Sequence, residues 1–125
     1  LAFIYFALIV DAYVNTTKKY LIRNGITSKG QYNQIANYVY LQSEINIKIS
    51  ADAPKNYMAV VLHQCETGES VYGGITDLDQ LKQNLEENCI PEGFAQMGIE
   101  DYPHFLEQRR ILMAQKIRKF YEALK

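Results

Sequence analysis

The chain has 125 residues, 48% of them hydrophobic and 22% charged, with a formal net charge of −1. That length and composition support one domain with a real core and exclude a disordered chain. The near-neutral balance excludes a protein that binds nucleic acid through its overall charge alone.

The chain opens on "LAFIYFALIV", ten apolar or aromatic residues. This run is too short to cross a bilayer, and it lacks the basic flank and small-residue cleavage site of a secretion signal. Residues 1–14 therefore read as a buried helix broken near "NTT", within a C-terminal fragment of a larger cytoplasmic protein. Thr17 is placed to cap a short helix, "KKYLIRN", that stops at Gly25, a glycine suited to the left-handed position after a helix. "ITSKG" reads as a loop. In "QYNQIAN", Tyr32, Ile35 and Ala36 share one helical face. "YVYL" has strand composition, and "SEINIKIS" alternates Ile45, Ile47 and Ile49 with polar residues. Pattern alone favours a strand at 45–49, with a short helix as the competing assignment.

"SADAPKNYMAVVLHQC" reads as a helix capped by Asp52, with Pro54 in its first turn and Met58, Val61 and Leu62 inward. "ETGESVYGG" is a loop. Thr76 or Asp77 caps the next helix, whose Leu78, Leu81 and Leu85 recur at helical spacing. "IPEGFAQMGIEDYP" is a turn-rich connection with room for one helical turn. A last helix is predicted from about Pro103 to the end, with Leu106, Met113, Ile117, Phe120 and Leu124 as a core-facing seam. The fold class expected is mostly α: a helical domain with at most one small β-hairpin, around 38–49.

Charge is unevenly placed. From Glu66 to Asp101 there are nine acidic residues and one lysine; from Phe105 onward there are six basic residues against Glu107 and Glu122. Mutual packing of the two stretches is one reading, and a phosphate-contacting face is the other. Cys65 and Cys89 show no zinc-ligand spacing, and reduced thiols are expected, though spacing alone leaves a disulfide open. His63 and His104 stand in no catalytic motif, no nucleophile elbow is present, and "GG" at 73–74 is no phosphate loop.

One stretch admits two accounts: Asn37 pins a turn through nearby backbone groups and Asn46 caps the segment after it, or its asparagines are what is left of a metal-dependent site. "YNQIANYVYLQSEINIKISADAPKNYM" carries Asn33, Asn37 and Asn46 in an apolar context. With Ile35, Ala36, Asn37, Asn46, Ile49, Pro54 and Tyr57 in order, it resembles the C-terminal HNH-type domain of GmrSD-like, modification-dependent (type IV) restriction endonucleases. The resemblance continues through Ile90-Pro91 to "Y-x-x-F-L-x-x-R", here Tyr102, Phe105, Leu106 and Arg109, and so covers about residues 11–125. It implies a ββα-metal centre at about 11–60, with a short strand at 38–41 and a helical turn near Asn46, and a helical extension over about 76–125. Asn37 then takes the position that orients a catalytic histidine. Asp11 and Asn46 take positions that hold a divalent ion, Mg²⁺ in an active site. The family's tandem histidines, however, align with Tyr13 and Val14 ahead of an intact "KKYL". Tyrosine, with a pKa near ~10, is a poor base at neutral pH, and valine binds no metal.

The expectation is thus a degenerate centre, with no cofactor bound by this fragment. Its role is to bind DNA or to serve as a structural partner of a missing N-terminal module, which in relatives resembles ParB-like nucleotide-hydrolysing domains. Lys18, Lys19, Arg109 and Arg110 are the expected phosphate contacts. Two alternatives stand beside it: an active metal nuclease with an altered base, and a helical interaction module that self-associates through its apolar N-terminal segment. No membrane partner is expected.

Overall fold

The computed structural model describes residues 18–37, 48 and 52–125. The expected N-terminal helix, the strands at 38–41 and 45–49, and positions Asp11, Tyr13 and Asn46 lie outside the described residues; of 45–49 only Lys48 is described, in helical conformation. Among the described residues there is no strand, and the fold is mostly α. No helix among them is long and apolar enough to cross a membrane.

Helix α1 runs through residues 18–23 and stops as the sequence predicts. Gly25 adopts φ 93°, which an L side chain resists. The Ile26 amide donates to Leu21 O at 2.9 Å and the Gly25 amide to Ile22 O at 3.1 Å, the paired bonds of a Schellman motif. Ile26 then packs against the cluster that contains Leu21. The same device closes α4 (Leu78–Glu87). There the Ile90 amide donates to Leu85 O at 2.9 Å and the Cys89 amide to Glu86 O at 3.1 Å. The left-handed residue is Cys89, at φ 56°. The parallel extends to the side chains: Asn24 Nδ2 donates to Tyr20 O and Asn88 Nδ2 to Asn84 O, both at 2.8 Å. "NGI" and "NCI" are thus one cap written twice, with glycine replaced by cysteine in the second.

The helical face read in "QYNQIAN" is broken into two pieces. Helix α2 spans only Lys29–Tyr32, and a 3₁₀ turn follows at Ile35–Asn37. Tyr32 and Ala36 are buried as expected, but Ile35 is 60% exposed. Asparagine competes for its own backbone and is a poor helix former, and Asn33 stands at the break.

Helix α3 spans Pro54–Thr67, with Pro54 in the first turn, where its missing N–H costs nothing. Its N-cap is Ala53, which makes no side-chain cap bond; Asp52 stands one residue outside, exposed. The expected Asp52 cap is therefore not formed. Asp77 does cap α4, its Oδ1 accepting from the Asp79 amide at 3.3 Å. The connection that follows holds two 3₁₀ turns, Phe94–Gln96 and Ile99–Asp101. Helix α5 spans Tyr102–Ala123.

The core is Leu21, Tyr32, Ala36, Tyr102, Phe105 and Leu106, so α1, the 31–37 segment and the first half of α5 meet in one cluster. Burying Phe105 and Leu106 contributes about 1.5–3 kcal/mol each. The predicted seam of α5 is buried only at its start. Leu106 is 6% exposed, whereas Ile117, Phe120 and Leu124 are 49%, 58% and 70% exposed. The expectation of a core-facing seam therefore fails at Ile117, Phe120 and Leu124, because the described body does not extend far enough to cover them. Cys65 and Cys89 are both free thiols.

Candidate functional site

Asn37 ends the 3₁₀ turn Ile35–Asn37 and is 2% exposed. Its backbone amide donates to Gln34 O at 2.9 Å. Its side-chain Nδ2 donates to Tyr32 O at 3.0 Å, folding the turn back on the end of α2. A buried amide without such a bond would cost about 1–3 kcal/mol, so this contact fixes the side chain as well as the turn.

Asn37 borders a cavity of about 40 Å³, whose lining also includes Tyr20, Pro54, Tyr57, Asp101 and Phe105. Three separate regions of sequence are thereby brought together: Asn37, then Pro54 and Tyr57, then Tyr102 and Phe105. Rings make one wall. Phe94 lies 5.4 Å from Phe105 and 6.2 Å from Tyr57, centroid to centroid. Asp101 supplies a carboxylate, and its Oδ2 accepts from the Gly98 amide at 2.9 Å. Burial, then Glu100 and Asp101, push the Tyr20 phenol above its ordinary pKa. The cavity has room for a water or so and is too small for a nucleotide.

No histidine lines this cavity among the described residues. His63 and His104 are both exposed, and His63 Nδ1 lies 3.9 Å from Glu66. No group of three His, Cys, Asp or Glu side chains among the described residues is placed to hold a metal ion. The residues expected to hold Mg²⁺, Asp11 and Asn46, lie outside the described residues, as does Tyr13.

No family model matches the chain, and comparison with curated proteins and with solved structures returned no significant match.

The four cations expected at phosphates divide into two groups. Arg109 is buried, 1% exposed. Its Nη1 donates to Ala36 O at 2.9 Å and its Nη2 to Asn88 O at 3.1 Å. The expectation of a phosphate contact from Arg109 does not hold, because its guanidinium is turned inward to main-chain carbonyls. The other three remain near the surface. Lys18 Nζ lies 5.3 Å from the centroid of the Tyr32 ring, Lys19 is exposed, and the exposed Arg110 donates to Gln34 Oε1. Lys18, Lys19, Ile22 and Arg23 follow i, i+1, i+4, i+5 spacing and so share a face of α1. The sequence from 12 to 43 holds four basic residues and no acidic one. Lys18, Lys19, Arg23 and Lys29 take no part in the ion pairs His63–Glu66 and Arg118–Glu122 of the described residues.

Two structural roles were not read from the sequence: the tie made by Tyr102 and Arg109, and the part played by Gln64. Tyr102 donates its hydroxyl to Gln31 O at 2.7 Å, so both Tyr102 and Arg109 tie α5 to the 31–37 segment. Their i, i+7 spacing was the available signal, since it places both on one helical face. Gln64 is the other, 1% exposed in α3. Its Nε2 donates to Tyr72 O at 3.0 Å, and its Oε1 accepts from the amides of Val71 and Tyr72 at 3.0 and 2.9 Å. A single amide side chain thus shapes the acidic loop, and nothing in the sequence marked it.

Proposed function

We propose that this chain is a non-cleaving, HNH-type domain of the GmrSD-like kind, which binds DNA or braces a neighbouring module and does not hydrolyse phosphodiesters by itself. The observation that carries this reading is the state of Asn37. In a working HNH centre this amide orients a catalytic histidine. Here it is 2% exposed and its donor is given to Tyr32 O, beside a cavity with no histidine in its described lining. The sequence offers Tyr13 and Val14 where the family has histidines.

The DNA half of the reading rests on charge. Lys18, Lys19 and Arg23 stand on one face of α1, in a stretch without carboxylates. Binding through three phosphate contacts would give a slope of log K against log salt of about −3. The test combines plasmid incubation in Mg²⁺ or Mn²⁺ with duplex titration across a salt series. The expected result is no cleavage, with salt-dependent binding weakened by Lys18→Glu and Lys19→Glu. Metal-dependent cleavage abolished by Asp11→Ala and Asn46→Ala would instead establish the active nuclease. Absence of salt-dependent binding would leave only the bracing role.

A further inference from the structure

The second half of α5 leaves the body of the protein. Every residue from Ala114 to Lys125 is exposed, about 15 Å of helix that touches α4 through Lys116, whose Nζ donates to Glu87 O. Its apolar side chains are not scattered. Ile117, Phe120, Tyr121 and Leu124 follow i, i+3, i+4, i+7 spacing, and they are 49%, 58%, 63% and 70% exposed. On an ideal helix the four occupy an arc of about 100°. That is the width of a stripe that lies in a groove on a partner, and these four positions are the usual anchors of that binding mode. Two of the anchors are aromatic, the residue type that concentrates binding energy at interfaces.

The charges around the stripe indicate the partner. On the helical projection Lys116 falls along one border, and Arg118 and Lys125 along the other. Lys125 Nζ lies 5.3 Å from the centroid of the Tyr121 ring. Glu122 falls toward the opposite face, where it is paired with Arg118 at 3.1 Å. A second copy of the same helix would bring cations against cations along both borders, which disfavours self-pairing. Nucleic acid would leave the apolar anchors in water.

We propose that the exposed half of α5 docks into an apolar groove with carboxylate-lined rims on another protein. Phe120 and Leu124 seat in the groove, Lys125 faces one rim, and Lys116 faces the other by exchanging its bond to Glu87 O for a partner carboxylate. This surface is separate from the basic face of α1, so the inference does not depend on the proposed DNA role.

The test uses the full 125-residue chain and two designed helical peptides that share a leucine seam. One is flanked by glutamates and the other by lysines. The expected result is binding to the glutamate-flanked peptide, about tenfold or more tighter than to its lysine twin, with the preference shrinking as salt rises. Phe120→Asp should weaken that binding about 100-fold with unchanged circular dichroism, since the side chain is exposed. Lys116→Glu with Lys125→Glu should reverse the peptide preference. Equal binding of both peptides would overturn the proposal, as would binding indifferent to Phe120→Asp. A reversible dimer in sedimentation, abolished by Phe120→Asp, would assign the stripe to a second copy and overturn it. Equally, Phe120-dependent binding to phosphatidylserine–phosphatidylcholine vesicles, with none to the acidic peptide, would assign it to an anionic lipid surface.

Discussion

Arg109 Nη1 donates to Ala36 O at 2.9 Å, joining the middle of the last helix to the 3₁₀ turn that carries Asn37. The same guanidinium reaches Asn88 O at 3.1 Å, the carbonyl at the C-cap of α4. One planar cation therefore ties three elements that are distant in sequence. A positive charge at the end of α4 also complements the negative end of that helix's dipole. The stretches "IAN" and "Y-x-x-F-L-x-x-R" thus meet as halves of one clasp.

Replacing Arg109 should be among the costlier single changes. Arg109→Ala leaves the buried Ala36 carbonyl and the half-buried Asn88 carbonyl without this donor and is expected to lower unfolding free energy by about 3 kcal/mol. Arg109→Lys keeps the charge but presents no fork to span both carbonyls, and should cost about 1–2 kcal/mol. Denaturant titration measures both. A loss within about 0.5 kcal/mol for the alanine variant would be the behaviour of a surface residue and would contradict the clasp.

Asn37 separates the structural role from the catalytic one. Loss of its bond to Tyr32 O in Asn37→Ala should cost about 1–2 kcal/mol. If the amide serves only the turn, that loss is the same in EDTA and in Mg²⁺. Thermal melts of both proteins in both buffers decide the point. Stabilisation of the parent by Mg²⁺ that vanishes in the variant would mean that Asn37 belongs to an ion-binding centre.

The twin caps invite a paired comparison. Gly25→Ala forces an alanine into the left-handed region and should cost about 1 kcal/mol. Cys89 already bears that strain at φ 56°, while its buried side chain returns some of it through packing. Cys89→Gly relieves the strain and loses the packing, and should stay within about 1 kcal/mol of the parent. Cys89→Val places a β-branched residue at the same φ and should lie about 2 kcal/mol below the glycine variant. A valine variant as stable as the parent would show that residue 89 does not hold a positive φ in solution.

These particulars also show what the residues disclosed and what they withheld. Gly25, Asp77 and Pro54 announced helix ends because capping depends on local backbone chemistry, and "NCI" carried the same message once "NGI" was understood. Asp52 misled by one position, because an acidic residue two places before a proline signals a helix start without fixing the register. The stripe on α5 was legible as a face. Its exposure was not, since periodicity says which side chains align and nothing about what covers them. Gln64 and Arg109 were hidden for a different reason. Polar residues belong outside unless the main chain of a distant segment supplies partners, and those partners exist only after folding.

Gln64 accordingly offers a sharp test of the acidic loop. Gln64→Leu keeps the bulk but removes a donor group shared by Tyr72 O and Ile75 O and an acceptor for two amides. The expected cost is about 2–4 kcal/mol. Hydrogen exchange at Val71 and Tyr72 should accelerate more than exchange in α5. Uniform acceleration across the chain would indicate global destabilisation in place of a loosened loop.

Tyr20 links the cavity to pH. Burial raises its phenol pKa above the ordinary value of 10.0, and the carboxylates Glu100 and Asp101 raise it further. A raised pKa means that the folded state prefers the neutral phenol more strongly than the unfolded chain does. The resulting stabilisation is fully present below the unfolded pKa, and it is lost as pH rises from there through the folded value. Stability should therefore fall above about pH 10 in the parent, more steeply than in Tyr20→Phe, which has no proton to lose at that position. The nine other tyrosines titrate in both proteins, so the difference between the two curves isolates Tyr20. Denaturant midpoints from pH 8 to pH 11.5 supply those curves (a range of about 3.5 units around the phenol pKa). Parallel curves would mean that the Tyr20 hydroxyl is as well solvated in the folded protein as in the unfolded chain, and that the wall it forms beside Asn37 is open to water.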